Sequence, residues 1–531
     1  MIKDILTERI KKAAASLSRK VDTGKIDVSH SERFGDYATN AAMVVASSLD
    51  EDPRELAEKI KEMLLTSSER GRYIKSIEIA GPGFINIMLT DEAILSKVGV
   101  LDNTLDLGLD LLGGQKVNIE FISANPTGEL HIGHGRGAFY GDILSSVFSY
   151  AGADVVREFY INDSRESNQI KELGKTVLGE GEQYKTVRLE KIIAEMSFKK
   201  EDGTHSEALT EAGFELAEKV GEYNKDFIES KLGIKFDRWY SEDENIRASG
   251  AAEKILDELK AKDLVYEEDG AWWLKTSEYG DDEDRVVVRS DKTATYFLSD
   301  IAYHMDKFCR GYDSVIDVWG ADHHGHVKRM MAVKKMLGWE GDFQIFITQM
   351  VSLKEGGKAA KMSKRAGNVV LLEDLVDDFG LDVVRWFFAE KSLGTHMEFD
   401  AELAKQQSQK NPVYYVQYAH ARICSILEKA RELEADNSST SGIIKEERGR
   451  ALAMKVTMFS EVVEGVTRDH QVHKLTTYAY ELASEFNQFY RDVRVIKDDT
   501  YNRGALELAK LAKRTLAKTL SLLGISAPEK M

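Results

Sequence analysis

The clearest pattern along the chain begins at Lys116, where Val117, Ile119 and Phe121 alternate with Asn118 and Glu120, the period-two spacing of a strand. A turn follows, then a glycine-rich helical stretch from about His131 to Tyr150, then a second strand pattern, VVREFYI, at 155–161. Strand, helix and strand in that order predict a right-handed βαβ unit of an open parallel sheet. Asp269-Gly270 sits between LVYEE and AWWLK and predicts a β-hairpin. The stretches around 285–303, 313–319 and 344–351 read as further strands.

Upstream, residues 1–110 read as a separate α/β unit. Asp52-Pro53 is an N-cap followed by proline at the first helical position, and SIEIAGPGFINIML (76–89) has two strand patterns around a Gly-Pro-Gly break. Residues 164–260 are helical and charged, in the manner of an insertion. From about 400 onward the pattern is helical, interrupted by the polar loop DNSSTSG (436–442). The organisation predicted is therefore 1–110, then 111–394 with an insertion near 164–290, then a helical unit at 395–531.

Composition narrows the class. With 43% hydrophobic residues in 531, the chain can bury a core and is not disordered. No apolar run approaches the roughly 20 residues needed to cross a bilayer. The first twenty residues, MIKDILTERIKKAAASLSRK, have no signal-peptide core, so a cytoplasmic location and no membrane partner are expected. Two cysteines, Cys309 and Cys424, exclude a disulfide framework or a cysteine-based zinc site. A net charge of −18 argues against nonspecific nucleic-acid binding, but 401–531 is mildly basic and can meet a polyanion locally.

Two motifs carry candidate chemistry. In SANPTGELHIGHGRG (123–137) a strand ends, the chain turns through Asn125-Pro126-Thr127-Gly128, and a helix opens at His131-Ile132-Gly133-His134. Helix N-termini attract phosphate, Gly133, Gly135 and Gly137 leave room for a nucleotide, and two histidines three apart share a face. In KMSKRAGN (361–368), Lys361 and Lys364 can clamp a departing pyrophosphate. Taken singly, the first also fits a strand–turn–helix corner and the second a solvated surface turn.

Together, in this order and ahead of a helical tail, the pair resembles the signature motifs of class I aminoacyl-tRNA synthetases. Over essentially its whole length the chain is similar to arginyl-tRNA synthetases. FGDYATNAAM (34–43), GPGFINI (81–87), EFISANPTGELHIGHGR (120–136), FYIND (159–163) and YGDDEDRVVVRSD (279–291) carry the likeness. So do TYFLSDIAYH (295–304), WGADHHGH (319–326), KMSKRAGN and NPVYYVQYAHARI (411–423).

The resemblance implies a multidomain α/β protein: a Rossmann-like parallel-sheet catalytic domain with an insertion, an N-terminal tRNA-binding α/β domain and a C-terminal all-helical anticodon-binding domain. It implies an ATP-dependent arginine–tRNA ligase acting in translation through arginyl-adenylate. ATP would meet Pro126, Thr127, Gly128, His131, Gly133, His134, Gly320, Asp322, His323, Met362 and Ser363, with Mg²⁺ accompanying the nucleotide. His131, His134, Lys361 and Lys364 would be catalytic. Arginine would meet Ser123, Asn125, Tyr296, Asp300 and an acid in WYSEDE mapped to Glu242, with Asp243 one step away. A carboxylate and an aromatic wall suit a guanidinium. Tyr414, Gln417, Tyr418 and Arg422 would face tRNA(Arg), although Val413, Val416 and Ala419 mark an apolar stripe on the same helix. A protein-bound metal is not expected in the Asp322–His326 cluster, and a monomer is expected.

The sequence also departs from the family. SRES (164–167) is longer and lacks the usual glycine, and Lys292 stands where the family has glycine, in a corner lysine enters at a cost. Asp281–Asp284 reads as a solvated turn. A class I synthetase of another specificity and a non-catalytic tRNA-binding paralogue stay open as alternatives; a small nucleotidylyltransferase fails on length and on the helical tail.

Overall fold

The computed structural model describes residues 2–31, 34–66, 70–181, 183–196, 204–355, 358–359 and 370–531. The lysine motif, with Lys361, Met362, Ser363 and Lys364, lies outside the described residues.

The N-terminal unit is a four-stranded antiparallel sheet with helices against it. Val28–His30, Tyr37–Thr39, Phe84–Leu89 and Ile74–Ala80 lie side by side in that order. The Asp52 side chain accepts the Arg54 N–H at 2.8 Å and starts the helix Pro53–Thr66, as proline at the first helical position predicts.

The central sheet is five-stranded and wholly parallel. Its strands are β1 (Lys116–Glu120), β2 (Asp154–Ile161), β3 (Arg238–Ser241), β4 (Ser314–Trp319) and β5 (Asp342–Ile347), in spatial order β5-β4-β1-β2-β3. The chain leaves β1 through helix α1 (Ile132–Tyr150) to β2 on one side, then later returns to β4 on the other. The strand order thus reverses between β1 and β4, and the carboxyl ends there open into the crevice where such sheets bind ligands. Strand β3 lies inside the segment expected to be a helical insertion; RWYS is only four residues long, too short for its alternation to register. The insertion is therefore split. Helices α2 (Asn168–Val177), Val187–Glu195 and His205–Asp226 precede β3, and a three-stranded antiparallel sheet follows it. In that sheet Asp269 (φ +50°) and Gly270 (φ +77°) make the predicted hairpin turn.

The expected strand at 285–303 is only Arg285–Val288; from Tyr296 the chain is helix α3 (Tyr296–Cys309). This helix docks on the sheet through charge as well as apolar contact. Asn118, Glu120, Glu158 and Asp317 are buried on the strands, so the alternation in KVNIE does not separate core from solvent. Tyr303 Oη donates to Glu120 at 2.9 Å and Glu158 at 2.7 Å. Lys307 Nζ donates to Asp317 at 2.7 Å and also bonds Glu120, while Arg310 pairs with Glu158. Such a network adds little net stability against an apolar equivalent, but it permits one docking geometry only if every charge is matched.

Beyond β5, helix α4 (Leu381–Ala389) packs on α1, with Phe388 against Phe139 at 5.5 Å. The C-terminal unit is built mainly on α5 (Pro412–Ala430), α6 (His473–Asp492) and α7 (Arg503–Leu522). It also holds three two-residue strands, and the end of the DNSSTSG loop already belongs to a short helix, Thr440–Ile444. Its fit to the rest is polar as well as apolar, since one hydrophobic cluster runs through all three units. Buried Arg385 of α4 donates to Asp142 of α1 at 2.7 Å, to the Leu232 carbonyl at 2.8 Å and to the Leu523 carbonyl at 3.3 Å. The N-terminal unit meets the same helical unit through Lys97–Glu461 at 2.9 Å, Arg450–Asp91 at 2.9 Å and Arg514–Asp106 at 2.6 Å.

Candidate active site

The site begins where β1 ends. Ile122 (φ +69°) and Ser123 (φ +39°) are held in left-handed backbone, a conformation a β-branched residue adopts only under strain. The Ser123 hydroxyl donates to Glu120 at 2.8 Å and accepts from the Tyr160 N–H at 3.1 Å. It therefore ties the strained turn to β1 and β2 and does not line the cavity described below.

At the start of α1 the two histidines cap the helix for each other. His131 Nδ1 accepts the Gly133 N–H at 3.1 Å, and His134 Nδ1 accepts the His131 N–H at 3.1 Å. Their rings stack at 3.8 Å. With both Nδ1 atoms accepting, each neutral ring carries its proton on Nε2 and keeps a donor to spare. Burial holds the His134 imidazole down at about 3, with His131 adding to the effect, and burial lowers His131 as well. Gly133 and Gly135 are also close-packed: a Cβ at Gly133 would lie 2.9 Å from the His131 ring, and one at Gly135 2.9 Å from Leu372.

A cavity of about 510 Å³ is lined by, among others, Asn125, Glu242, Tyr296, Asp300, Asp322 and His323. Four of the five residues expected against arginine and two expected against ATP therefore meet in one space. Asn162, Ser167, Gln169, His326 and Arg329 also line it and went unnoticed; only a knowledge of which loops converge would have exposed them. Tyr296 and Asp300 stand one turn apart on α3. The Tyr296 hydroxyl reaches Ser167 at 3.3 Å, so the SRES segment supplies a wall of the pocket. Asp300 accepts from His326 Nε2 at 2.9 Å.

Glu242 is buried at the carboxyl end of β3, and among the described residues its Oε1 has no hydrogen-bond donor, only Arg247 at 3.6 Å. Asp243 turns away to bond Arg165. Burial lifts the Glu242 carboxyl to about 7, against the pull of Arg247 and with a further push from Asp300. A buried, unsatisfied carboxylate beside a second one is the environment a guanidinium relieves.

Other expected residues fall outside this cavity. Pro126, Thr127 and Gly128 form the turn before the histidines, where the Gly128 carbonyl accepts from Asn224 at 3.0 Å. Gly320 precedes the 3₁₀ turn Ala321–His326. Val370 and Leu372 meet the turn that holds the histidines: Ile132 N–H donates to the Val370 carbonyl at 2.8 Å, and Leu372 N–H to the Leu130 carbonyl at 2.9 Å. Lys292 does adopt φ +70°, with its amide bonded to Arg289 at 2.9 Å, so the lysine keeps the corner that glycine would make. Asp281 is not solvated as expected; it is buried and pairs with Arg285 at 2.9 Å.

On the helical unit, Tyr414 and Tyr418 stack at 6.1 Å, and the Arg422 guanidinium lies 4.7 Å over Tyr418. Tyr480 and Tyr490 of α6 extend this half-exposed aromatic face and were missed, because the contact joins distant helices. Gln417 is corrected: it is buried, and its amide donates to Asp382 at 2.8 Å and to Ser526, in the seam between units.

Comparison with known proteins agrees with this architecture. Residues 99–170 and 219–423 match the catalytic domain of class I (R) tRNA synthetases, 1–89 the arginyl tRNA synthetase N-terminal domain, and 416–531 the DALR anticodon binding domain. Fold and site together define a class I aminoacyl-tRNA synthetase. The chain is 40% identical to the arginine–tRNA ligases of Halalkalibacterium halodurans and Bacillus subtilis, covering all of this chain and 98% and 99% of theirs. A solved putative arginyl-tRNA synthetase from Campylobacter jejuni superposes with a TM-score of 0.73 at 33% identity, over 83% of this chain and 100% of that one. The Thermus thermophilus arginyl-tRNA synthetase shares the fold, with a TM-score of 0.76 at 21% identity over both full chains. The chain belongs to the arginyl-tRNA synthetase family.

Proposed function

We propose that this protein joins L-arginine to tRNA(Arg) for translation in two steps. The observation that carries the reading is the convergence of Glu242, Asp300, Tyr296 and Asn125 on one cavity at the head of the parallel sheet. Two acids and an aromatic wall there suit a planar cation.

In the first step the arginine carboxylate attacks the α-phosphate of ATP in line. A carboxylate–phosphorus bond forms as the bond to the β-phosphate oxygen breaks, giving arginyl-adenylate and pyrophosphate. The work of the protein is positioning and electrostatics. His131 and His134 donate through Nε2–H to the phosphates, and Lys361 and Lys364 hold the departing pyrophosphate. Mg²⁺ would accompany the nucleotide, bound by phosphate oxygens and water. In the second step the 2′-hydroxyl of the terminal adenosine attacks the activated carbonyl and AMP leaves. The aromatic face around Tyr414, Tyr418 and Arg422 offers stacking and charge to the anticodon loop. The reading includes a cytoplasmic location and a monomeric enzyme; no described helix is long and apolar enough to cross a membrane.

ATP–pyrophosphate exchange with each of the twenty amino acids, with and without tRNA, tests the reading. Exchange with arginine only, and only with tRNA, is expected. Exchange with another amino acid would overturn the pocket assignment, and tRNA binding without any exchange would point to the non-catalytic paralogue.

A further inference from the structure

Helix α3 brings Asp300 to the cavity, and the residue one turn further, His304, lies in the core with its ring among Tyr303, Phe308, Trp319 and Phe343. His304 Nδ1 is 2.7 Å from the Asp300 carbonyl oxygen, and Nε2 is 2.8 Å from the Asp317 carboxylate on β4. A carbonyl oxygen accepts and cannot donate, and an ionised carboxylate does the same. The ring thus sits between two acceptors, a setting that calls for a donor at each nitrogen.

The surroundings support that state. The Asp317 carboxyl is buried, yet Lys307 and His304 hold it down at about 2. Lys307 Nζ bonds the same carboxylate at 2.7 Å, so Asp317 accepts from both neighbours and has no proton of its own to give the His304 ring. A buried charge left unmatched would be far more costly than the pairing.

We propose that His304 is a positioning residue for arginine recognition: doubly protonated, it ties the Asp300 carbonyl to the Asp317 carboxylate and so locks the pocket face of α3 to β4. From the same strand the chain runs into the Ala321–His326 turn, whose His326 holds the Asp300 carboxylate. The guanidinium-binding acid is thus held at its backbone by one histidine and at its side chain by another. This rests on the arginine reading above.

The test uses the full enzyme with tRNA and ATP. In H304Q one donor pair is lost and α3 is free to shift; the arginine KM rises about tenfold or more, with kcat and the ATP KM changed by less than about threefold. Partial misfolding would do the reverse, lowering kcat at constant KM. Nitrogen NMR of the histidine-labelled wild type at neutral pH supplies a reading that needs no variant. It should show one buried imidazole with both ring nitrogens protonated, assigned by its contacts to the Phe308 and Phe343 rings. An unchanged arginine KM in a folded H304Q, or a singly protonated ring at this position, overturns the proposal. A wild type that exchanges another amino acid overturns the arginine reading instead.

Discussion

The amide of Ile132 donates to the carbonyl of Val370 at 2.8 Å, joining the first residue of the histidine helix to a residue more than two hundred positions further along the chain. Lys361→Ala and Lys364→Ala should each slow pyrophosphate exchange about 10²-fold while the arginine KM holds, because such contacts strengthen only as charge leaves. An equal rise in arginine KM would place these lysines elsewhere.

Capping and catalysis at His134 are separable. His134→Asn keeps an acceptor where Nδ1 sits but has no donor at the Nε2 position. Its melting temperature should stay near wild type while exchange falls about 10²-fold or more. His134→Ala should lose the cap too, at about 1 kcal/mol, readable by chemical denaturation.

With the Glu242 carboxyl raised, arginine binding should depend on pH. Below about pH 7 it is protonated and a poorer partner for a guanidinium, so the arginine KM should climb by up to about tenfold per unit of falling pH. Without arginine the sign for stability is opposite. The group's folded value is above its unfolded one, so its stabilising contribution is full below the unfolded value near 4.5 and is lost as pH rises through about 7. Glu242→Gln should bind arginine weakly at every pH and show neither trend, which steady-state kinetics and melting curves at about pH 6 and about pH 8 would reveal.

Gly524 is constrained by both backbone and neighbour. It has φ +67°, and a Cβ there would lie 2.2 Å from Arg385 Nη1. Gly524→Ala should destabilise the enzyme by about 2–3 kcal/mol in urea unfolding. The displaced guanidinium would loosen Asp142, so the cost should fall on the catalytic unit even though the substitution lies outside it.

Much of this was legible because it is short-range. The histidine motif, the Asp52-Pro53 cap and the Tyr296–Asp300 spacing each lie within one turn of helix, where chain order alone dictates geometry. Glu242 could be told from Asp243 only in three dimensions, since both sit at the end of a strand too short to read. Asn118 and Glu120 look like the solvent side of a strand, yet Asn118 donates to Glu158 on the neighbouring strand and Glu120 meets Lys307 of α3, which arrives nearly two hundred residues later. Asp281 misled for the same reason: an acidic run gives no sign that Arg285 folds back onto its first member. Gln417 sits in a segment similar to tRNA-facing ones, and only the return of Ser526 shows it spent on internal contact.

The ties from Asp36, Asp91, Lys97 and Asp106 to Arg450, Glu461 and Arg514 close the chain on itself, so the first unit is not held merely by the segment that follows it. A nick between residues 106 and 115 should therefore leave two fragments that co-purify as one particle. The outer units act as the two ends of a clasp, and cutting the cord between them does not open it.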